Sequence, residues 1–316
     1  MEVINGLPAT FPYPRPVVTI GNFDGVHIGH QKIFSRVVEK AQEINGTPVA
    51  ITFFPHPVSV LAPERGLRHI TTSKDKTRLM AENGLAAVIY IPFNREFAKT
   101  EPEDFIKRVL VDLIHVQWVV VGHSYSFGKG KKGSTDLLRR KGESYGFGVT
   151  VVRHALACGD VVSSSRVRAF LLKGKVADAA CMLGRAYHID GIVVPGAGRG
   201  DSILRTPTAN LATANEIIPN EGVYAVRVTM DGKTYDGVAN IGSNPTFGGT
   251  EMSYEVHIFG IHEYLVGKKL RLHFIERLRD EATYPNADAL KAQIRKDIEH
   301  AKEALGRADI RLLEQT

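Results

Sequence analysis

The first half of this 316-residue chain alternates short runs of strand-forming residues with stretches of helical periodicity. Such alternation is typical of βαβ units, which build an open α/β sheet. Near-continuous apolar runs, such as WVVV at 118–121, indicate parallel strands that are buried on both faces. We predict strands at 17–21, 49–54, 87–92, 118–122 and 149–153, and helices at 31–44, 73–83, 102–114 and 135–145.

The turn after the first of these strands carries the clearest functional signal. Residues 21–30 read GNFDGVHIGH, which places His27 and His30 where a strand ends and a helix begins. A helix start favours an anion, and imidazoles there can hold nucleotide phosphates and stabilise the charge that develops during transfer. The turn therefore predicts nucleotidyl transfer. The alternatives are a plain polar turn or a zinc site, but Cys158 and Cys181 lack metal-ligand spacing.

The periodicity changes after about residue 185. Apolar and polar residues then alternate in runs separated by turn signals such as Asp231-Gly232, which predicts an antiparallel sheet or small barrel. A final helix is predicted from Ala287, with Asn286 as its N-cap. A helical stretch at 167–183, broken at Gly174, bridges the halves. We predict one domain at 1–184 and a second at 185–316, with strands of the latter at 223–230, 234–241, 254–259 and 269–275.

The composition limits the expected partners. A net charge of +6 raises the question of nucleic-acid binding, but the basic residues are spread along the chain without a base-stacking pattern of aromatic residues. The densest basic cluster, Lys129, Lys131 and Lys132, lies in a glycine-lysine loop that suits a small polyphosphate. The N-terminus is not signal-like, and no apolar run could span a bilayer. We expect a cytoplasmic protein that binds small molecules rather than nucleic acid or membrane. The sequence leaves open whether the chain forms a homo-oligomer.

Ten motifs, spread in order over nearly the whole chain, resemble those of the bacterial bifunctional riboflavin kinase/FAD synthetase family. The resemblance implies a Rossmann-like nucleotidyltransferase domain with a parallel sheet, followed by an antiparallel β-barrel kinase domain with a terminal helix. It implies two reactions, in which riboflavin and ATP give FMN, and FMN and ATP give FAD and pyrophosphate, with Mg²⁺ as cofactor. The motifs lie at 21–30, 52–57, 121–133, 162–168, 198–200, 207–210, 222–226, 240–242, 245–247 and 255–257.

The resemblance assigns roles in the adenylyl transfer. His27 and His30 would contact the nucleotide phosphates, and Ser164 with Arg166 would form a second phosphate clamp. A serine-rich helix cap is the alternative for this segment, but it does not explain Arg166. For Asn22 and Asp24, the polar side chains of the turn at 21–30, a purely structural role is equally open. The remaining residues expected at the nucleotide or flavin are Gly21, Asn22, Phe23, Asp24, Gly29, His56, Ser124 and Ser165.

The resemblance also assigns the kinase residues. Thr208 and Asn210, two apart in PTAN, would hold Mg²⁺ against the ATP phosphates. Glu255 would be the base that takes the proton from the attacking ribityl hydroxyl. Gly198 and Gly200 would let the backbone approach phosphate closely.

Two departures from the family pattern concern activity. Ser124 stands where the family usually carries Asp or Asn, and the six residues 201–206 replace a five-residue loop that ends in Leu-Gly-Phe. The second departure opens an alternative function, an FMN adenylyltransferase whose barrel is weakly active or senses flavin. A flavin-binding regulator without catalysis is a further alternative, but it leaves His27 and His30 without a purpose.

Overall fold

The structure, a computed structural model, describes residues 1–195, 208–246 and 249–308. Contacts within the chain divide it into two compact units, Met1–Val162 and Ser163–Thr316. Among the helices of the described part, none is long and apolar enough to cross a membrane.

The first unit is built on a six-stranded sheet in which every paired strand is parallel. The strand order is β1-β4-β3-β2-β5-β6, so the predicted parallel α/β architecture is confirmed. A short antiparallel pair, β7 and β8, follows the sheet. The strands are β1 Glu2–Asn5, β2 Pro16–Ile20, β3 Thr47–Phe54, β4 Ala87–Pro92, β5 Trp118–Gly122, β6 Gly148–Val152, β7 Leu156–Ala157 and β8 Asp160–Val161.

Both faces of the sheet are buried, because successive residues of one strand belong to opposite hydrophobic clusters. Val18 and Val119 lie in one cluster, whereas Val17 and Val120 lie in the other. This explains the near-continuous apolar runs of the sequence. The helices of the unit are α1 Ile28–Glu43, α2 Pro57–Leu61, α3 Ser73–Glu82, α4 Pro102–Phe105 and α5 Thr135–Tyr145.

Two features of this unit differ from the sequence expectation. The strand β1, only four residues long, was not predicted, because it is largely exposed and depends on backbone pairing with β4 rather than on an apolar pattern. The single helix expected at 102–114 is instead α4 followed by a π-helical segment, Ile106–Leu113. The wider turn still buries Ile106, Val109 and Leu110 against the sheet core.

The second unit contains a closed barrel with strand order β10-β13-β12-β11-β14-β9, and all pairs are antiparallel. The predicted barrel and terminal helix are thereby confirmed. The terminal helix, α8, begins at Ala287, and the Asn286 side chain caps it by accepting a hydrogen bond from the N–H of Ala289 at 2.8 Å. The elements are β9 Tyr187–Val194, β10 Ala209–Thr213, β11 Gly222–Met230, β12 Lys233–Thr246, β13 Gly249–Ile258, β14 Lys269–Arg279 and α8 Ala287–Arg307.

Two helices precede the barrel, α6 Ser164–Leu172 and α7 Val176–Leu183. Gly174 separates them with a φ of +69°, a conformation that favours glycine. A side chain could not fit there, because a Cβ would lie 2.7 Å from the Tyr224 Oη. The apolar face of α7 packs against β9 and β14. Both helices therefore belong to the barrel unit, whereas the sequence-based boundary at 184/185 would separate them from it.

This packing predicts the stability of fragments. A fragment of 163–316 retains α7 on the barrel, whereas a fragment of 184–316 leaves the apolar surface under α7 exposed to water, which is unfavourable. We expect the longer fragment to unfold at the higher temperature, as measured by circular dichroism. Equal melting temperatures would show that α6 and α7 do not stabilise the barrel.

Candidate active sites

The first candidate site lies where the sheet changes its winding direction. From β2 the chain crosses to β3 on one side, and it later returns to β5 on the other side of β2. In open α/β sheets, ligands bind in the crevice that such a reversal opens at the carboxyl ends of the strands. The segments that follow β2 and β5, 21–30 and 123–133, therefore flank a binding crevice.

The turn after β2 has an unusual backbone. Phe23 and Val26 have φ values of +51° and +40°, which are rare for residues with side chains. The surrounding packing imposes this conformation: the buried Phe23 ring contacts Phe34, with centroids 4.9 Å apart, and lies edge-on to His30 at 5.3 Å. The turn is thus held in a costly shape, as is common at functional sites.

The buried carboxylate of Asp24 anchors this turn to a distant segment. Its Oδ1 accepts hydrogen bonds from the N–H groups of Ile70 at 3.0 Å and of Thr71 at 3.2 Å. The hydroxyl of Thr71 in turn accepts the N–H of Gly25 at 3.2 Å. We therefore interpret Asp24, which the sequence predicted as a nucleotide- or flavin-site residue, as an anchor that shapes the site.

The two histidines of the turn are stacked at the start of α1. His27 is the N-cap residue, and its Nδ1 accepts the N–H of His30 at 3.3 Å. The two rings lie 3.6 Å apart between centroids and are inclined by 15°. Gly29 leaves room for this pair, because a Cβ there would lie 3.1 Å from the His27 ring. The imidazoles are thus held beside the first N–H groups of a helix, where an anion is favoured.

Lys76 of α3 supports the same turn. The Lys76 Nζ lies 3.4 Å from the carbonyl oxygen of Asn22 and 3.4 Å from the Thr52 Oγ1. The Lys76 Nζ also lies 5.1 Å from the centre of the Tyr90 ring. Burial lowers the pKa of Lys76 to about 8, although the charge of Asp24 acts in the opposite direction. The sequence analysis missed Lys76, because 54 residues separate it from Asn22 and no local pattern marks it.

A cavity of about 620 Å³ adjoins the turn, with Gly21, Asn22, Ser124 and Lys131 in its wall. Six aromatic rings also line the cavity, and each ring contacts the next with centroids 5.4–6.3 Å apart. Such a surface suits a flat aromatic ligand. In order, these rings are Phe53, Phe93, Phe97, Phe105, Phe127 and Tyr125.

His56 follows β3, at the same edge of the sheet. Its Nδ1 accepts the N–H of Val58 at 3.1 Å and so caps α2, and its ring lies edge-on to His69 with centroids 5.7 Å apart. The side chain thus has a structural role in positioning α2, whose Pro57 and Leu61 line the cavity.

The serine-arginine segment forms the first turn of α6, in the second unit. Ser163 is the N-cap, and its Oγ accepts the N–H of Arg166 at 3.3 Å. Ser164 is half-buried, whereas Ser165 and Arg166 are exposed. Capping therefore accounts for Ser163 but not for the two exposed side chains.

The second candidate site is a row of polar residues across three barrel strands. Glu255 of β13 lies directly opposite Asn210 of β10 on one side and opposite Asn240 of β12 on the other. Directly opposed residues of antiparallel strands point to the same face. Their chain neighbours Val256 and Ala239 are buried and fill the barrel interior, so the polar row faces outward.

The helix α8 packs on this same outer face of the barrel, which shows which side of the strands the polar row occupies. Val223, the residue opposite Asn240, belongs to the apolar cluster under that helix. The sequence-predicted Thr208 is half-buried just before β10. The Ser253 hydroxyl donates to the Glu255 carboxylate at 3.2 Å. The barrel thus brings Asn210 and Glu255, which the sequence analysis singled out separately, together on a surface that α8 borders.

Two members of this surface were not singled out by the sequence analysis as site residues. The Asn240 Nδ2 donates to the Glu281 Oε1 at 3.3 Å. The Glu281 carboxylate occupies the space over Gly242, where a Cβ would lie 2.0 Å from its Oε1. An Asn-Ile-Gly motif marked Asn240 and Gly242, but only the closure of the barrel brings Glu281 to them.

Comparison with known proteins matches each unit to a family model: FAD synthetase over residues 13–166 and riboflavin kinase over residues 183–305. The chain is 35% identical to a bifunctional riboflavin kinase/FMN adenylyltransferase of Escherichia coli K12, covering 97% of this chain and 98% of the relative. It is 33% identical to the enzyme of the same name from Haemophilus influenzae, with 96% and 98% covered. The chain belongs to the bifunctional riboflavin kinase/FMN adenylyltransferase family.

A solved structure has the same fold along nearly the whole chain. It is that of a macrolide-efflux protein from Streptococcus pneumoniae, with a TM-score of 0.88 and 28% identity over 96% of this chain and 99% of that one. Membership of the family confirms the expected resemblance and the expected class of enzyme, a transferase with kinase and adenylyltransferase activities. The alternative with an inactive barrel is not favoured, because the riboflavin kinase model matches the barrel unit.

Some residues expected at the kinase site lie outside the described part of the chain. These are Gly198, Gly200 and the altered loop at 201–206. Their roles therefore stay predictions.

The aromatic cavity yields a prediction about stability. The Tyr125 hydroxyl is buried, and no described residue is its hydrogen-bond partner; burial raises the pKa of this phenol. Because an unpartnered buried hydroxyl is unfavourable, we expect Tyr125→Phe to raise the free energy of unfolding by about 1 kcal/mol. Tyr90→Phe is the matched control and should lower it, because the Tyr90 hydroxyl pairs with the Thr77 hydroxyl at 2.8 Å. Chemical denaturation measures both free energies of unfolding. A decrease in both variants would contradict the interpretation that the Tyr125 hydroxyl is buried without a partner.

The lowered pKa of Lys76 predicts a pH dependence. The group titrates near pH 8 when folded and near 10.5 when unfolded. Between these values the unfolded chain binds more protons, so this group makes stability rise with pH. We expect the wild type to gain stability relative to Lys76→Met between pH 8 and 10, in thermal unfolding at each pH. Lys74→Met changes an exposed lysine of the same helix, so its stability should vary with pH in the same way as that of the wild type. A constant difference for Lys76→Met would show that Lys76 does not titrate in this window.

Proposed function

We propose that the Met1–Val162 unit transfers the adenylyl group of ATP to FMN at the crevice beside β2. The observation that carries this assignment is the stacked pair of His27 and His30 at the start of α1, next to an aromatic cavity. The flat isoalloxazine ring of the flavin enters the cavity, and the imidazoles face the ATP phosphates.

The adenylyl step needs no protein nucleophile. A phosphate oxygen of FMN attacks the α-phosphorus of ATP; the new P–O bond forms as the bond to the β-phosphate breaks, and pyrophosphate leaves with its electron pair. Negative charge on the phosphoryl oxygens is stabilised by His27, His30 and the N–H groups of α1. Lys76 and Asp24 do not react but hold the turn in place.

Further phosphate contacts are proposed for the first turn of α6. Ser164, Ser165 and Arg166 supply hydroxyl and guanidinium groups, which match phosphate oxygens in geometry and charge. Ser163 serves as the helix cap, and Ser165 and Arg166 are exposed at the same helix start.

The barrel unit carries the kinase step on its outward polar row. The ribityl hydroxyl of riboflavin attacks the γ-phosphorus of ATP, its proton passes to the Glu255 carboxylate, and ADP leaves. Asn210 and Thr208 offer the oxygen donors that Mg²⁺ prefers and would hold it, and the bound ion would neutralise phosphate charge. The register that places Asn210 opposite Glu255 supports this assignment.

The cytoplasmic location and the absence of nucleic-acid and membrane partners belong to the same proposal. Small-molecule substrates account for both candidate sites, and the +6 net charge suits anionic phosphates as well as it suits a polymer. The direct test incubates the chain with riboflavin, ATP and Mg²⁺ and separates the flavins by chromatography. FMN followed by FAD and pyrophosphate is expected, and the absence of FAD from FMN plus ATP would refute the assignment.

Paired variants test whether the two sites act separately. Because His27 and His30 stabilise charge in the transition state, replacing either with Ala should lower FAD formation from FMN by roughly 10²-fold, with FMN formation from riboflavin retained. Glu255→Gln keeps the size of the side chain but removes the base, so it should abolish FMN formation and spare the conversion of FMN to FAD. Each activity is the control for the other, and equal loss of both in a folded variant would contradict separate sites.

A further inference from the structure

A serine and a histidine meet where β5 and β6 end. The strands are paired in parallel, with Gly122 opposite Val152, and the N–H of His123 continues the pairing by donating to the Val152 carbonyl at 2.9 Å. The two chain segments therefore leave the sheet side by side. Just beyond the sheet, the Ser124 Oγ lies 3.2 Å from the His154 Nε2. The His123 ring supports the His154 ring edge-on, with centroids 5.3 Å apart.

This pair stands at the edge of the crevice. Ser124 shares the cavity wall with Gly21 and Asn22 of the turn after β2. On the other side, a Cβ at Gly29 would lie 3.8 Å from the Ala155 Cβ, so the residue after His154 borders the first turn of α1. Ser124 thus lines the aromatic cavity, and the segment that carries its partner His154 borders the start of α1.

The imidazole determines which kind of hydrogen bond Ser124 can make to a ligand. A serine hydroxyl carries one hydrogen and two lone pairs. When a neutral imidazole accepts that hydrogen at Nε2, the oxygen is left with its lone pairs and acts toward a ligand as an acceptor. Acceptors match the hydroxyls of a ribose and the exocyclic amine of a purine, and they do not match phosphate oxygens.

We propose that His154 is a positioning residue for the adenylyl donor, taking the hydroxyl hydrogen of Ser124 so that the Ser124 Oγ accepts a hydrogen bond from the nucleoside part of ATP. This inference rests on the proposed function of the first unit. It gives Ser124 and His154 together the acceptor role that a carboxylate or amide oxygen could provide alone at position 124.

The test measures FAD formation by the full chain as a function of ATP and, separately, of FMN. Loss of one hydrogen bond corresponds to about a fivefold change in affinity. His154→Ala should therefore raise the half-saturating ATP concentration by about fivefold, with little change in kcat and none in the half-saturating FMN concentration. His154→Gln, whose amide oxygen can accept the hydrogen, should restore most of the loss. His115→Ala is the matched control, because it removes an exposed imidazole of the same unit that contacts neither Ser124 nor His154 in the hydrogen bond and ring contact described above.

A second pair of variants isolates the mechanism. Ser124→Asp supplies an acceptor that does not depend on the imidazole, so His154→Ala should have no effect on ATP saturation in that background. An unchanged ATP dependence in His154→Ala, a change in FMN dependence alone, or an equal His154→Ala effect in both backgrounds would overturn the proposal. A wild-type chain that makes no FAD would instead refute the underlying function. Riboflavin kinase activity and the melting curve of each variant exclude unfolding as the cause.

Discussion

The reversal of winding direction at β2 is the constraint on which the first active site depends. Because β3 and β5 flank β2 and the chain leaves in opposite directions, the segments after β2 and β5 separate and open a crevice. The crevice is useful only if the turn after β2 keeps its costly backbone. The buried Asp24 carboxylate, which binds two N–H groups of a distant segment, and Lys76, which reaches the Asn22 carbonyl, keep the turn in that shape. The stacked imidazoles stand at the end of this anchored turn.

In the barrel, the candidate site depends on which face of the strands carries polar residues. Among the described residues, apolar side chains such as Val256 and Ala239 are buried. The alternation of a strand then places polar residues on the outer face, and three neighbouring strands in register align Asn210, Glu255 and Asn240 there. α8 covers the apolar part of the same face. The half-buried polar row beside this helix is consistent with the active site proposed for the outer face of the barrel.

In the proposed function the two units handle phosphate by different means. The first is assigned helix N–H groups and imidazoles at the edge of a parallel sheet, and the second is assigned side chains along antiparallel strands. Only the former arrangement is visible as a short continuous motif, because strand, turn and helix follow each other directly. The latter depends on cross-strand neighbours that are 45 residues apart for Asn210 and Glu255 and 15 for Asn240 and Glu255.

Local sequence determined the alternation of strands and helices, the change of architecture between the halves, the presence of a helix after the turn at 21–30 and the cap at Asn286, because each depends on neighbours close in the chain. It also marked His27, His30, Asn210 and Glu255 through motifs. Tertiary structure alone decided that Asp24 anchors the turn and that Lys76, Glu281 and His154 lie beside the marked residues. The π-helical segment and β1 were likewise decided by packing and strand pairing. For Asp24, Lys76, Glu281 and His154 the physical reason is the same: their hydrogen bonds join groups tens of residues apart, which are brought together by how the sheet winds and how the barrel closes, and local periodicity carries no record of either.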